Sequence, residues 1–427
     1  MSSPPRTLAR ALPLAAPGAP VRLQGWVHRR RELATVSFLV VRDRTGLAQV
    51  VVRGGRPLPP EETPVEVVGT ATPNPQAPGG VEVTEPDVRA LSDPADTPPV
   101  ELWRPRLDVG LPTLLDQAAT TWRHPRQRAV WELAAASLHG FRSTLDATGF
   151  TEVHSPKLVE SATESGANVF EVDYFGRPAY LAQSPQFYKQ VLVGVFERVY
   201  EVGPVFRAEP HDTVRHLAEY VSLDVELGFI EDHHEVIGCL REVVAGMVEA
   251  IHVRAERAVE LLGLALPRVP DPLPTLHFRE ALEIADAPAD EPDLAPAHER
   301  ALGEWALAEH GSDFVVVHGY PTAHRAFYSH PDPEEPHWSR SFDLIFRGLE
   351  LVSGAQRLHR YDDYVRTLEE RGYPYAPYAS YVEAFRRGIP PHGGFAVGLE
   401  RWVARLTGAA NIREVTLFPR DLHRLTP

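Results

Sequence analysis

The sequence predicts an α+β protein in which a small all-strand N-terminal domain precedes a larger mixed one. Residues 21–92 break into five short β-rich runs, VRLQGWVHRR, VSFLVVRD, GLAQVVVR, TPVEVVGTAT and GGVEVTEPDV, with no helical stripe among them. From about residue 126 to 148 the periodicity changes, and Ala129, Leu133, Ala136, Leu138, Phe141 and Leu145 recur at helical spacing. The stretch Glu201–Phe229 then reads as two strands around a polar loop. In the returning strand Val221, Leu223, Val225 and Leu227 alternate with Ser222, Asp224 and Glu226, the period-two pattern of one apolar and one polar face.

Composition narrows the class. The chain has 427 residues, 43% of them hydrophobic and 24% charged, as in a water-soluble globular protein of two or more domains. No apolar run is long enough to span a bilayer, and prolines interrupt the apolar patch in MSSPPRTLARALPLAAPGAP, so neither a membrane partner nor a signal peptide is expected. The single cysteine, Cys239, sits in an apolar helical pattern and fits a core position in a cytoplasmic protein. Net charge is −15, yet residues 1–92 hold eleven arginines against eight carboxylates. Local basic surface, not the total, decides whether a phosphate backbone is met. Lysine is confined to Lys157 and Lys189 among 43 basic residues, so each marks a place where a compact ammonium could be needed.

In chain order, five strands in about 70 residues form a small barrel. Arg29, Arg30, Arg31 and Arg42 beside Trp26, His28 and Phe38 suit single-stranded nucleic acid, where bases stack and phosphates pair. An unrelated small barrel with a solvated basic edge has the same pattern. Residues 93–115, proline-rich and polar, read as a hinge. After the long helix, FTEVHSPKLV reads as a strand broken by Pro156, which places that proline at an edge or an interface. A strand pair is expected over 170–181 and a helix from Pro185 to Phe196. The loop of the 201–229 hairpin carries Arg207, Glu209, His211, Arg215 and His216, a cluster suited to a polyanion. A helix follows over 232–262; His233 and His234 open it and are expected to be solvated, and no metal cluster is evident. Residues 264–312 read as a small peripheral insertion. DFVVVHGYP and SFDLIFRGLELVSGAQR supply further strands, and GGFAVGLER a glycine-rich strand entering a helix at about Leu399. That turn matches neither the dinucleotide fingerprint nor the P-loop.

Three separated blocks resemble the class II aminoacyl-tRNA synthetases: Pro156 after the long helix (motif 1), FRAE at 206–209 with RHLAEY (motif 2), and GLER at 398–401 (motif 3). Within that class AQSPQFYKQ, RGLELVSGAQR and the final FPRDLHRLTP are similar to the aspartyl enzymes, and the short interval between motifs 2 and 3 to their compact archaeal type. The resemblance implies an N-terminal five-stranded OB-fold β-barrel reading the anticodon (1–92), a hinge (93–115), and a class II catalytic domain, an antiparallel sheet flanked by helices (116–427). It implies a homodimer with Pro156 at the interface. It also implies activation of L-aspartate with ATP, then transfer to tRNA.

Matched residue by residue, the resemblance assigns catalysis to Arg207 and Arg401. It puts Glu164, Gln186, Lys189, Arg207, Asp224, Ser353 and Arg357 around aspartate, with Lys189 and Arg357 on the side-chain carboxylate. ATP would meet Arg207, Glu209, Arg215, His216, Leu217, Tyr220, Glu350, Gly398, Leu399, Glu400 and Arg401, and Mg²⁺ would be held by Glu350 and Ser353. The chemistry is compatible: transfer at phosphorus needs positioning and charge neutralisation more than an acid–base pair.

In the barrel, His28, Arg29, Phe38, Gln49, Pro78 and Glu82 match anticodon contacts, Phe38 stacking on the central base. His28 and Pro78 resemble those archaeal-type enzymes that accept both tRNA(Asp) and tRNA(Asn), so the reading here is the non-discriminating form. The segment LDQAATTWRHPRQ departs from the family's usual arginine–aspartate-rich stretch. The rivals are a discriminating aspartyl enzyme, an asparaginyl enzyme (disfavoured by Lys189), asparagine synthesis on the same scaffold (disfavoured by the barrel), and a catalytically silent tRNA-binding paralogue.

Overall fold

In the computed structural model, which describes residues 4–55, 57–160, 168–210 and 212–426, five strands close the N-terminal barrel. They are β1 (Pro20–Glu32), β2 (Val36–Arg42), β3 (Leu47–Arg53), β4 (Pro64–Pro73) and β5 (Val81–Ala90). Their order is β1-β2-β3-β5-β4, closed by pairing of β4 with β1; only β3 and β5 run parallel. Alternate residues point inward, and Val21, Leu23, Val27, Leu39, Val41, Val50, Val67 and Val83 fill the interior. Gly25 lets β1 pass the Arg42 carbonyl, which a Cβ would strike. At His28 the register slips by one residue, a bulge that buries Val27 and His28 in succession.

The chain forms two compact units, Met1–Pro125 and Arg126–Pro427. The proline-rich hinge segment therefore packs with the barrel unit. Arg29 stacks on Trp103 at 3.9 Å, Ala95 N donates to Thr63 Oγ1, and Arg123 pairs with Glu62. Two short helices, α1 (Leu111–Asp116) and α2 (Ala118–Thr121), complete this unit.

The second unit begins with α3 (Pro125–Ala147), then β6 (Thr151–Glu152), β7 (Leu158–Val159), β8 (Glu171–Asp173) and β9 (Pro178–Leu181). Next come α4 (Gln186–Phe196), β10 (Arg198–Phe206), β11 (Glu219–Gly228), α5 (His233–Arg254) and α6 (Glu256–Leu262). They are followed by β12 (Thr275–His277), α7 (Phe278–Ile284), α8 (Pro296–His310), β13 (Phe314–His318), β14 (Ser341–Phe346) and β15 (Leu349–Gln356). The last elements are α9 (Tyr361–Glu370), α10 (Ala379–Val382), β16 (His392–Gly398) and α11 (Leu399–Thr407). Eight strands form one sheet in the order β12-β13-β14-β15-β16-β11-β10-β6, antiparallel through its middle and parallel at both edge pairs. Helices α3 and α5 pack their apolar stripes against one face, joined by Trp402 of α11.

Three expectations are corrected here, on Pro156, residues 264–312 and His233, and the cover of β11 is added. Pro156 does not break one strand; it separates two short ones that join different sheets, β6 on β10 and β7 on β9. The polar face of β11, for which alternation alone named no partner, is covered. Every residue from Ser222 to Gly228 is buried, because β11 is central, with α5 on its apolar face and α4 over Asp224 and Glu226. Residues 264–312 are not peripheral: β12 is a sheet edge, and α7 and α8 build a core with Val315, Val317 and Ile345. His233 is buried against His318 instead of solvated, while His234 beside it is exposed.

Candidate active site

Strand register sets the site. Asp343, Ser353, Ala396 and Asp224 lie side by side across β14, β15, β16 and β11, and Ser222 pairs with Gly398 two residues on. Period-two geometry then puts their side chains on one face. Above them opens a cavity of about 320 Å³ lined by Arg207, Glu209, Arg215, His216, Leu217, Tyr220, Ser222, Glu350, Ser353, Gly398, Glu400 and Arg401, among others. Ten of the eleven residues expected around ATP thus come together. Leu399 does not, for its side chain belongs to the core behind α11.

Beneath the cavity lies a buried charge set. Lys189, on the first turn of α4, is 2% exposed; its Nζ donates to Asp224 Oδ1 at 3.0 Å and lies 3.4 Å from Glu226 Oε2. Arg357 Nε donates to Glu226 Oε1 at 3.0 Å, and a second guanidinium nitrogen to the Gly394 carbonyl. A side chain at position 394 would collide with the Glu226 carboxylate, so glycine is required there. Burial alone would push the Glu226 carboxyl up, but Arg357, Lys189 and His392 outweigh it and hold it below the ordinary carboxylate range. Ser222, which lines the cavity, donates to Asp224 Oδ2 at 2.5 Å, linking the two levels. Gln186 donates to Gln190, whose amide also meets Tyr364, Tyr381 and His392, so this corner is held by a closed polar network.

On the cavity wall the Arg207 guanidinium lies 5.9 Å over the Tyr220 ring, and Arg401 donates to the Glu350 carbonyl. Glu400 accepts from Val221 N–H through both oxygens and so fastens α11 to β11; burial pushes its carboxyl up to about 7. Glu350 is also pushed up to about 7, by burial and then by Asp343, against the pull of Arg401 and Arg325. Its side chain keeps 43% of its surface open to the cavity, so water moderates that shift. Glu299 of α8 adds a further carboxylate: it accepts from Glu350 N–H at 2.7 Å and pairs with Arg215 at 3.5 Å. Sequence reasoning missed Glu299 because α8 was assigned to an insertion; the acid on a buried helical stripe was its one signal. Carboxylates crowded around a hydroxyl make a hard-oxygen set that fits a small divalent cation.

The remaining expectations fall as follows. Glu164 and His211 lie outside the described residues. Pro156 is exposed. In the barrel unit Phe38 is half-buried on the outer face rather than in the core, and Gln49 and Asn74 both donate to Glu82. Pro78 is exposed, and Arg29 rests on Trp103. His28 is 6% exposed, its Nδ1 3.0 Å from Arg42, whose guanidinium forks onto Glu62; burial and Arg42 lower the imidazole to about 4.

A sheet with this strand order in one unit and a closed five-stranded barrel in the other define a two-module protein, and the sheet unit carries a nucleotide-sized site. Residues 111–422 match the family model "tRNA synthetases class II (D, K and N)", and residues 21–91 that of the "OB-fold nucleic acid binding domain". The chain is 46% identical to the aspartate–tRNA(Asp/Asn) ligase of Deinococcus radiodurans, covering 100% of both chains. It is 45% identical to that of Thermus thermophilus, covering 99% of this chain and 100% of the other. A crystal structure of Pyrococcus horikoshii asparaginyl-tRNA synthetase with asparaginyl-adenylate superposes with a TM-score of 0.91 at 30% identity, over 99% of this chain and 100% of that one. The chain belongs to the class II tRNA synthetases of the D, K and N group.

Proposed function

We infer that this protein is an ATP-dependent aspartate–tRNA ligase that charges both tRNA(Asp) and tRNA(Asn). The observation that carries the amino-acid choice is the buried pair of cations, Lys189 and Arg357, below an arginine-lined cavity. An aspartate carboxylate can replace part of their present partnership with Glu226 and Asp224. A neutral amide would leave them short of an acceptor, a penalty that buried cations make large. The full-length relatives named for both tRNAs support the wider tRNA range.

In the first step an oxygen of the aspartate α-carboxylate attacks the α-phosphorus of ATP, and the bond to pyrophosphate breaks. Arg207 is assigned to the α-phosphate, where it neutralises charge as it develops, and Arg215, His216 and Arg401 to the rest of the triphosphate. Tyr220 offers its ring to adenine. Glu350 and Ser353 would hold Mg²⁺, which when bound supplies charge neutralisation to the triphosphate. In the second step the terminal adenosine hydroxyl of tRNA attacks the carbonyl carbon, and AMP leaves.

The barrel of residues 1–92 is assigned to the anticodon, with Phe38, Gln49 and Glu82 on its outer face. A homodimer formed around the exposed Pro156 region is part of the same reading, with light scattering as its check. The deciding experiment is aspartylation of purified tRNA(Asp) and tRNA(Asn) side by side. Charging of both is expected. Failure on tRNA(Asn) alone ends the dual-specificity reading, and absence of aspartate-dependent ATP–pyrophosphate exchange ends the whole.

A further inference from the structure

Away from the adenylate site, three histidines converge where the start of α5 meets the end of β13. His233 and His234 are the first two residues of α5, and His318 is the last of β13. One nitrogen from each lies within 4.8 Å of the other two. The rings of His233 and His318 are tilted by 36° with centroids 5.1 Å apart, and Nε2 and Nδ1 share a hydrogen bond at 3.1 Å. Two imidazole nitrogens bound to one tetrahedral ion at ~2.05 Å each would stand about 3.3 Å apart. That pair is therefore already at ligand spacing. His234, exposed on the first helical turn, has the rotamer freedom to close the remaining gap.

A packing role accounts poorly for this cluster. His233 is only 6% exposed, and its Nδ1 is buried with no hydrogen-bond partner. That orphaned atom is a cost under any role, so the imidazole is kept for what its other nitrogen, Nε2, meets at His318. The contact between His233 Nε2 and His318 Nδ1 needs one acceptor, so at least one of these two nitrogens presents a lone pair. The surroundings are arranged rather than loose. Asp232 caps α5 by accepting from His234 N–H, and the His277 ring stands edge-on to His318 at 5.5 Å. Gly319 leaves the room that His277 occupies, since a Cβ there would strike its ring.

We propose that His233, His234 and His318 form a binding site for a nitrogen-preferring divalent ion of the zinc class, with solvent at the fourth position. The donor type selects the ion: three imidazoles without a thiolate suit Zn²⁺, Co²⁺ or Ni²⁺ and not the oxygen-seeking Mg²⁺. Bound there, the ion ties the N-terminus of α5 to β13, the neighbour of β14. The positive end of α5 opposes a cation, as does Arg340; Asp232, Glu280 and Asp332 offset them.

The test uses the full-length chain, freed of metal with a chelator and titrated with ZnCl₂ against a chromophoric competitor. His234→Ala and His318→Asn are measured alongside, with circular dichroism as the check on folding. One zinc per chain is expected for the parent, with no competition from Mg²⁺ at millimolar concentration. Outer-shell changes alone commonly cost about 10–100-fold in metal affinity, so each ligand variant should lose at least about tenfold. Cobalt should give the visible bands of a tetrahedral ion in the parent and lose them in the variants. Zinc should raise the melting temperature of the parent only. The proposal falls if the parent takes up no zinc, or if His234→Ala binds it with the parent's affinity and stoichiometry. Because His234 is exposed, that variant decides the matter even if His318→Asn does not fold.

Discussion

Lys189 and Arg357 approach Glu226 from opposite elements, α4 and the end of β15, and together neutralise a carboxylate with no exposed surface. Glu226 holds both cations in place before any substrate arrives, so their geometry is prepaid in the fold. Lys189→Met removes the ammonium at nearly constant volume. Aspartate KM in ATP–pyrophosphate exchange should rise at least about 100-fold, since a buried polar site loses its matching group. ATP KM should stay within about threefold, because Lys189 lies below the cavity and does not line it. An unchanged aspartate KM would remove Lys189 from the specificity site.

Arg207 and Arg401 make the complementary case at the phosphate level. Both line the cavity, and Arg401 is also fastened to the Glu350 carbonyl. Arg207→Ala should lower the kcat of exchange by about 10²–10³, the usual cost of deleting one preorganised stabiliser of developing charge. The loss should fall on kcat more than on either KM. A variant with parental kcat and raised ATP KM would instead make Arg207 a ground-state binder.

How much of this was legible in the sequence depends on the range of the interactions involved. The barrel strands, the hairpin of β10 and β11, and the entry into α11 are local patterns, and they stand where periodicity puts them. Alternation in β11 identified Asp224 and Glu226 as one face, but burial of that face depends on α4, which no local pattern discloses. Glu299 and His318 were invisible for the same reason. One reaches the site from a helix 51 residues before its partner Glu350, and the other meets His233 across 85 residues. Position in a proline-rich stretch or at a strand end says nothing about which distant group it will face.

Glu299 gives a prediction that sequence alone would not have suggested. It orients Arg215 at 3.5 Å and accepts from the Glu350 backbone at 2.7 Å. Glu299→Gln keeps an acceptor for that backbone group and removes the charge that holds Arg215. ATP KM should rise about three- to tenfold, equivalent to roughly 1 kcal/mol, with aspartate KM unchanged. Steady-state exchange kinetics with each substrate varied in turn check it. Equal effects on both substrates would mean that α8 supports the whole site rather than the triphosphate end.

His392 supplies a prediction about pH. It is fully buried, its Nδ1 2.9 Å from the Pro390 carbonyl and its Nε2 3.0 Å from the Gln190 amide. Those partners require Nδ1–H to donate to Pro390 and Nε2 to accept from Gln190, the neutral tautomer. Burial lowers the group to about 4, although Glu226 pulls the other way. The unfolded chain binds its proton near the ordinary value of about 6.5. The unfolded state therefore holds more protons between these limits, and stability from this group is complete above pH 6.5 and lost as pH falls towards 4. Between pH 7 and 5 the loss should be about 2 kcal/mol. His392→Gln cannot take up that proton, so denaturant unfolding of the variant should lose less stability over the same interval by about that amount. Parallel losses in parent and variant would show that His392 is not a source of the acid sensitivity.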